Sequence, residues 1–239
     1  MRVVLSNRPD GMTNDQPSLL DGIATTRTIR RYRDEPIQEA TLASVLWHAT
    51  RAPNGSNRQM VRYLVLRDGV PDRAARAVLG RVARDVWARK EGADGYNAAS
   101  GAAADSPKAR MAATMRQYVE HFHEAPVIVL VCLVRYREPN PYEGASVYPA
   151  VQNLLLAARG LGLGGAVTMW QTMVEQELRE ILSIPPEVAL SACITLGYPA
   201  GHHGPLRRRP LSGVVYDGTW GNEAEWAVDP PGTRFTQWR

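Results

Sequence analysis

The sequence has little cysteine and no long hydrophobic run. Its two cysteines, Cys132 and Cys193, each lie inside a short apolar run, which is typical of buried, reduced thiols and argues against a disulfide framework. The longest apolar run, residues 126–134, is too short to span a bilayer, and the N-terminus lacks the apolar segment of a signal peptide. We therefore expect a soluble, cytoplasmic protein with no membrane segment.

A strong excess of one charge is also missing. The chain has 28 basic and 24 acidic residues, a net charge of +4, and a few arginines that bind an anionic ligand would supply this surplus. The arginines fall in two compact clusters, without the interleaved aromatic residues and recognisable module of a nucleic-acid-binding protein. Nucleic-acid binding is therefore only a distant alternative.

Patterns for nucleophilic, metal or dinucleotide chemistry are absent from the sequence. No serine lies in a G-x-S-x-G turn, and His121 and His123 are spaced so that a helix would place them on different faces. The glycines of GLGLGG (160–165) follow a helix and precede a strand, which is the reverse of the dinucleotide-binding order. An enzyme with this sequence would therefore depend on a cofactor.

Hydrophobic periodicity predicts helices and strands that are mixed without strict alternation. The predicted helices span 18–27 with Ser18 as N-cap, 41–52 with Thr41 as N-cap and Pro53 as stop, 71–90, 107–123, 145–162 and 175–182. The predicted strands span 62–68, 126–136, 165–170, 189–199 and 212–217. This order indicates an α+β or a mixed-sheet α/β fold in one domain.

Two arginine-rich segments are candidates for phosphate binding. TTRTIRRYRDEPI (25–37) would place Arg27 and Arg30 on one face if it were helical, and guanidinium groups bind phosphate through paired hydrogen bonds. PLRRRPL (205–211) would be a second arm on the same phosphate. The plainer alternatives are a solvated helix end for the first segment and a basic surface loop for the second.

Two further segments are candidates for contact with a flat polar ligand. RAPNGSNRQ (51–59) concentrates amide and hydroxyl groups that would hydrogen-bond a polar heterocycle, although polar loops are common. The glycines of 160–165 either end the preceding helix or let the following strand approach a ligand closely.

Taken in order, these segments resemble the FMN-dependent nitroreductase family. The resemblance rests on TTRTIRRYRDEPI, ATRAPNGSNRQ, ASVYPAVQNLLLAARGLGLG and ITLGYPAGHHGPLRRRPL, and it covers about residues 18 to 216. It implies an α+β fold with a mixed, mostly antiparallel central sheet flanked by helices. It also implies an intertwined homodimer in which both subunits line each of two FMN sites.

Carried over residue by residue, the resemblance implies flavin-binding residues in four places. These are the phosphate and ribityl segment Arg27, Thr28 and Arg30; the loop from the other subunit, Pro53, Asn54, Gly55, Asn57 and Gln59; the strand beside the flavin ring, Val167, Thr168 and Met169; and the last phosphate ligand Arg208 with its neighbour Arg207. No catalytic side chain is implied, because FMN carries the chemistry and Thr168 and Asn54 only tune it.

The chain departs from the family pattern at several of these places. Thr26 stands at the first of the family's paired arginines, and Asn54 replaces the usual serine. Met60-Val61 replaces a common Pro-Trp, and Thr168-Met169 stands where some members have Glu-Gly. The departures at Asn54, Met60-Val61 and Thr168-Met169 alter the surroundings of the flavin ring and leave the phosphate contacts in place.

The implied activity is an FMN-dependent NAD(P)H oxidoreductase. NAD(P)H, with NADPH preferred to NADH, gives a hydride to flavin N5, and a nitroaromatic, quinone or similar electrophile is then reduced in a ping-pong mechanism. The alternative within the same fold is a specialised flavoenzyme, such as a reductive dehalogenase, flavin-destructase or biosynthetic dehydrogenase.

The expected domain organisation is one domain with two terminal additions. Residues 1–17 form an N-terminal arm, 18–217 the FMN-binding domain, and the small-residue stretch 92–106 a mobile insert or lid over the site. We expect the aromatic-containing extension 218–239 to pack on the partner subunit, with packing on its own domain as the alternative.

Overall fold

The structure is a computed structural model that describes residues 17–96, 98–103 and 105–236. The expected N-terminal arm, apart from residue 17, lies outside the described residues. The helices are α1 Leu19–Thr25, α2 Glu39–Ala49, α3 Val70–Ala93, α4 Pro107–Glu120, α5 Gly144–Gly160 and α6 Glu175–Leu182. The strands are β1 Val61–Leu66, β2 Val127–Val134, β3 Gly164–Thr168, β4 Val188–Gly197, β5 Arg207–Arg208 and β6 Arg234–Phe235.

The central sheet has the strand order β1-β2-β4-β3, and every neighbouring pair in it is antiparallel. The short β5 and β6 form a separate parallel pair. Helices cover both faces of the central sheet, so the chain is α+β, as expected, and the mixed-sheet α/β alternative is wrong. β1 and β3 are the edge strands, which places β3 where a segment or a ligand can approach its free edge.

The central strand β2 is buried on both faces, as its unbroken apolar sequence predicts. Its side chains alternate between two cores because successive residues of a strand point to opposite faces. Ile128 and Leu130 pack in the core that includes residues of α3 and α4. Val129 and Val131 pack in the core that includes residues of α2 and α5.

Most predicted elements differ from the structure by a few residues at their ends, and one predicted strand is not formed. Helix α2 begins at Glu39 rather than Thr41, because Leu42 N–H already donates to the Gln38 carbonyl at 3.0 Å and Glu39 suits the positive end of the helix dipole. The predicted strand 212–217 is wrong: residues Leu211–Gly213 form a 3₁₀ turn, and only Tyr216 makes an isolated bridge, to Glu223.

Two negative findings follow for the described part of the chain. None of its helices has the length and apolar character needed to cross a membrane. Within the same residues, histidines, cysteines and carboxylates form no group of three or more that would hold a metal ion.

Candidate functional site

The arginine segment that follows α1 is extended rather than helical. Helix α1 ends at Thr25, with Ser18 as its N-cap as predicted, and Thr26 has an extended backbone. The segment runs beside the free edge of β3, where Ile29 N–H donates to the Gly165 carbonyl at 2.9 Å. Arg27 and Arg30 therefore do not share a helix face.

The glycines at the start of β3 make room for this segment. A Cβ on Gly164 would lie 2.5 Å from Ile29 Cγ1, which is closer than side chains tolerate. Gly162, with φ +78°, lies in the turn between α5 and β3. The glycines therefore do both things that the sequence suggests. Gly162 lies in the turn that ends α5, and Gly164 allows a close approach to β3, although the group that approaches is Ile29 of the same chain rather than a ligand.

Backbone contacts also bring the second arginine cluster to the first. Gly204 N–H donates to the Thr25 carbonyl at 3.1 Å, and Leu206 N–H donates to the Ala24 carbonyl at 3.3 Å. The chain then continues directly into Arg207 and Arg208, both of which are exposed. The chain that leads into the second arginine cluster therefore lies against the end of α1.

His203 joins these two segments to β3. Its Nδ1 accepts the Arg27 backbone N–H at 3.3 Å, and its Nε2 lies 3.3 Å from the Leu163 carbonyl. Both contacts require a neutral ring with the proton on Nε2. Burial lowers the pKa of His203, and the nearby positive charges of Arg159 and Arg27 lower it further, so the ring stays neutral at neutral pH.

The guanidinium of Arg27 and the hydroxyl of Thr28 are available to a ligand. Both residues are exposed, and among the described residues neither side chain makes a hydrogen bond or an ion pair. Arg208 Nη1 donates to the Arg207 carbonyl at 2.9 Å, and this bond does not use the other N–H groups of the guanidinium. Arg27 and Thr28 can therefore offer a guanidinium group and a hydroxyl to an anion.

Arg30 lies on the other side of the segment, at the edge of a cavity of about 770 Å³. Its guanidinium carbon is 6.0 Å from the ring centroid of Tyr118, and Gln117 and His121 line the same cavity. Below it, the hydroxyls of Tyr32 and Tyr118 lie 2.7 and 2.9 Å from Thr195 Oγ1. Burial raises the pKa of both tyrosines, so this network stays protonated and holds the segment on the sheet.

The predicted flavin-ring strand is the open half of β3. Val167 and Met169 are exposed, and Thr168 is half-buried with Oγ1 3.5 Å from the Cys193 carbonyl. Burial raises the pKa of Cys193 to about 12, so it is an inert thiol rather than a nucleophile. The backbone of residues 167–169, at the end of β3 and just after it, is therefore the part that a flat ligand would reach.

The amide-rich loop has an unusual backbone held by one of its own side chains. Ser56, Asn57 and Gln59 have φ values of +53°, +51° and +54°, a left-handed conformation that non-glycine residues seldom adopt. Asn54 Oδ1 accepts the Gln59 N–H at 2.9 Å, and Ser146 Oγ accepts the Gly55 N–H at 3.1 Å. Side chains here are presented outwards, and Pro53, Gly55, Asn57 and Gln59 are all exposed.

The amide loop and the arginine segment lie at opposite ends of the sheet. The loop leads into Val61, which pairs with Leu133 at the far end of β2. The arginine segment bonds to β3 near Gly165, which pairs with Leu196 close to the start of β2. The length of β2, roughly 25 Å for its strand rise, separates these ends. One chain therefore does not bring all the predicted flavin ligands together.

The extension after residue 217 returns to the second arginine cluster. Arg207–Arg208 pairs in parallel with Arg234–Phe235, and Thr236 N–H donates to the Arg208 carbonyl at 2.8 Å. Its tryptophans remain largely uncovered: Trp220 is 91% exposed and Trp226 69%. The extension thus touches its own domain, and its packing on a partner remains a prediction; Trp238 lies outside the described residues.

The sequence interpretation missed three residues of this region. Gln117 and His121 line the cavity beside Arg30 but carry no motif, and His203 lies in a glycine-rich loop with no recognisable pattern. Arg159 lies within a segment that was singled out, yet only as the end of a core helix. The sequence feature that could have drawn attention to Arg159 is its position immediately before the glycines that lead into β3.

Comparisons with known proteins agree with this arrangement. Residues 23–198 match the family model described as the nitroreductase family. The chain is 30% identical over 200 residues to an NADH dehydrogenase of Thermus thermophilus, covering 79% of this chain and 90% of that protein. It is also 30% identical over 201 residues to a 5,6-dimethylbenzimidazole synthase of Rhodospirillum rubrum, covering 78% and 86%.

A solved structure has the same fold. It is from Desulfovibrio desulfuricans, is described as a nitroreductase in complex with FMN, and is 26% identical, with a TM-score of 0.62 over 86% of this chain and 99% of that one. The family match spans most of this chain and includes both the arginine segment and the β3 edge. The chain therefore belongs to the nitroreductase family of oxidoreductases.

Proposed function

We propose that this protein is an FMN-dependent NAD(P)H oxidoreductase that reduces a nitroaromatic, a quinone or a similar electrophile. The observation that carries the proposal is the contact of residues 203–206 with residues 24–27, next to the segment that lies along the edge of β3. A phosphate-binding group next to an accessible strand edge is what a phosphorylated flavin requires. The FMN and NAD(P)H named for several relatives support the same cofactor and co-substrate.

The residues present fit FMN. Arg27, Thr28 and Arg208 would hold the phosphate, because two guanidinium groups and a hydroxyl offer charge-assisted hydrogen bonds to a dianion. The cavity of about 770 Å³ beside Arg30 is lined by neither these three residues nor residues 167–169, so we do not assign it to the cofactor. When bound, FMN supplies hydride transfer from NAD(P)H and onward reduction of the acceptor at one site.

The protein's part is to bind and orient rather than to transfer protons. The backbone of Val167, Thr168 and Met169 would line the ring edge, since their strand edge is open. We propose that the segment 92–106, of which residues 97 and 104 lie outside the described residues, forms a wall or lid over the site. Tyr96 in this segment packs on Trp87 of α3, with ring centroids 5.1 Å apart, which supports an anchored wall more than a free loop.

We further propose a homodimer in which the partner contributes the amide loop. The separation of that loop from the arginine segment supports this. A flavin site that contains both segments would need the loop from a second copy of the chain. Leu19 and Leu20 of α1, 71% and 76% exposed, are apolar surface that a partner would cover. The exposed tryptophans of the C-terminal extension support the same conclusion.

Flavin absorbance tests the proposal. The protein reconstituted with FMN should lose its visible absorbance on anaerobic addition of NADPH and regain it when a nitroaromatic or quinone is added. Arg27→Met and Arg208→Met should each weaken FMN binding by roughly ten- to a hundredfold, the loss expected for one charged hydrogen bond. Arg89→Met, an exposed arginine near the end of α3, is the matched control. A protein that binds no FMN would contradict the proposal.

A specialised activity on the same fold is the second candidate. The relative named 5,6-dimethylbenzimidazole synthase is as similar to this chain as the NADH dehydrogenase is, which favours testing that reaction directly. The reduced, FMN-loaded protein would be incubated with oxygen, and both the recovered flavin and 5,6-dimethylbenzimidazole would be quantified. Intact flavin and no benzimidazole favour the reductase; benzimidazole formation favours the second candidate.

A further inference from the structure

We infer that Arg159 is an additional phosphate ligand, which binds a phosphate monoester together with Arg27. The inference rests on the proposed function, within which this monoester is the FMN phosphate. Arg159 is not among the positions that the family resemblance assigns to the cofactor. It lies in the last turn of α5, directly before the turn into β3.

The first observation is an unsatisfied group. The Nε atom of Arg159 is buried and has no hydrogen-bond partner, and in the described part of the chain its guanidinium forms no ion pair. Other arginines with little exposure are fully engaged: Arg76 donates to the carbonyls of Leu66, His123 and Ala125. A buried, unpartnered N–H on a cation costs free energy, so it indicates that an acceptor is missing.

The second observation is the position of Arg159 relative to Arg27. The Arg159 carbonyl accepts the Gly162 N–H, Leu163 follows, and the Leu163 carbonyl lies 3.3 Å from His203 Nε2. The other ring nitrogen of His203 accepts the Arg27 N–H. Arg159 and Arg27 are both close enough to His203 for their charges to lower its pKa, and the ring of His203 bridges the backbone of the two segments that carry them.

The chemistry of this cluster favours a dianion. The positive charges of Arg159 and Arg27 lie near His203. Because the ring of His203 is neutral, it does not balance these charges. Among the described residues, no carboxylate pairs with Arg27 or Arg159. A phosphate monoester carries two charges and several acceptor oxygens, which suits two guanidinium forks.

A simpler explanation is that Arg159 only complements the negative end of the α5 dipole. That role is fulfilled by a solvated side chain and does not require a buried Nε. Thr26, which precedes Arg27 in the sequence, does not replace Arg159 in binding an anion, because its hydroxyl donates to the Gly22 carbonyl at 2.6 Å.

Paired affinities for FMN and riboflavin test the inference, because the two ligands differ only in the phosphate. The wild-type protein should prefer FMN, and Arg159→Met should reduce this preference by roughly ten- to a hundredfold while leaving riboflavin affinity unchanged. Arg159→Lys keeps the positive charge but lacks the paired N–H donors of a guanidinium group, so this variant should retain part of the preference for FMN. Arg89→Met should leave the preference unchanged.

The outcomes separate the two proposals. Failure of the wild-type protein to bind either flavin defeats the proposed function. A full FMN preference in both Arg159 variants overturns the role of Arg159 and leaves the function standing.

The wild-type protein gives a second test that needs no substitution. NMR titration of His203 should show its pKa rising when FMN or inorganic phosphate is added, because a dianion offsets the charges of Arg159 and Arg27. Riboflavin should not produce this rise. An unchanged His203 pKa on FMN binding would overturn the inference.

Discussion

The two ends of the central sheet carry the two halves of the candidate site, and they are built differently. At one end, the arginine segment is held by its own chain through Ile29, His203 and the Tyr32–Thr195 hydroxyl contact. At the other end, the amide loop is exposed and has three residues with positive φ. The first end is held by several contacts of its own chain, which suits the anion binding that we propose, whereas the second presents exposed groups, which suits the contact with a partner that we propose.

This difference separates what each half contributes. A phosphate gains most from fixed charged donors, because reorganising them would cost binding free energy. A ring that must exchange two substrates gains from a wall supplied by a separate element. We therefore expect changes at the arginine end to alter cofactor affinity and changes at the loop end to alter turnover.

The largest effect is expected at Gly164. Gly164→Val would place a side chain against Ile29 and push the arginine segment off β3, destabilising the protein by about 1–3 kcal/mol and weakening FMN binding. Urea unfolding and FMN titration measure the two effects. Gly160→Ala is the control, since nothing lies within 4 Å of its added Cβ. Equal behaviour of the two variants would contradict the packing argument.

A smaller effect is expected at the positions that we propose to lie beside the flavin ring. Asn54→Ala removes the acceptor of the Gln59 N–H, and Thr168→Ala removes a hydroxyl from β3. One lost hydrogen bond costs about 0.5–1.5 kcal/mol, so turnover of the FMN-loaded variants should fall by roughly tenfold or less. Abolished turnover with FMN still bound would identify an indispensable proton donor, contrary to our expectation.

A pH effect is expected at the arginine end. His203 has a folded-state pKa below its ordinary value of 6.5, so the unfolded chain takes up its proton more readily than the folded chain. The free energy of unfolding should therefore fall as the pH drops below about 6.5 and towards the lowered value, and His203 should contribute no pH dependence above that range.

Urea unfolding of the wild type and of His203→Gln across this range measures the difference. The glutamine side chain of the His203→Gln variant cannot titrate, so the stability of this variant should depend less on pH. Identical pH profiles of the two proteins would show that the titration of His203 does not contribute to the pH dependence of stability.

The smallest effect is expected at the loop end. Ser56 has a left-handed backbone conformation, which glycine adopts without steric cost. Glycine also has more conformational entropy in the unfolded state, so Ser56→Gly should raise the free energy of unfolding by no more than about 1 kcal/mol. Ser44→Gly makes the same chemical change inside α2 and should instead destabilise by about 0.5–1 kcal/mol. Thermal unfolding of both variants decides whether the loop is strained.

Much of the fold was predictable because its signals are local. β2 was predictable from an unbroken apolar run and α6 from its helical spacing, and α6 has the predicted bounds. The 212–217 strand was mistaken because a short Val-Val-Tyr stretch has strand propensity, while hydrogen bonds between residues three apart turn the chain at Leu211. The helical register of Arg27 and Arg30 was mistaken because α1 ends before them.

The sequence by itself determined the family, the α+β class and the segments from which the candidate site is built, since these depend on motif order and periodicity. Only the tertiary structure decided which segments meet. Arg27 and His203 are 176 residues apart yet share a hydrogen bond, and the amide loop is separated from them by the length of β2. Such contacts depend on strand register and close packing at Gly164, which no local pattern in the sequence encodes.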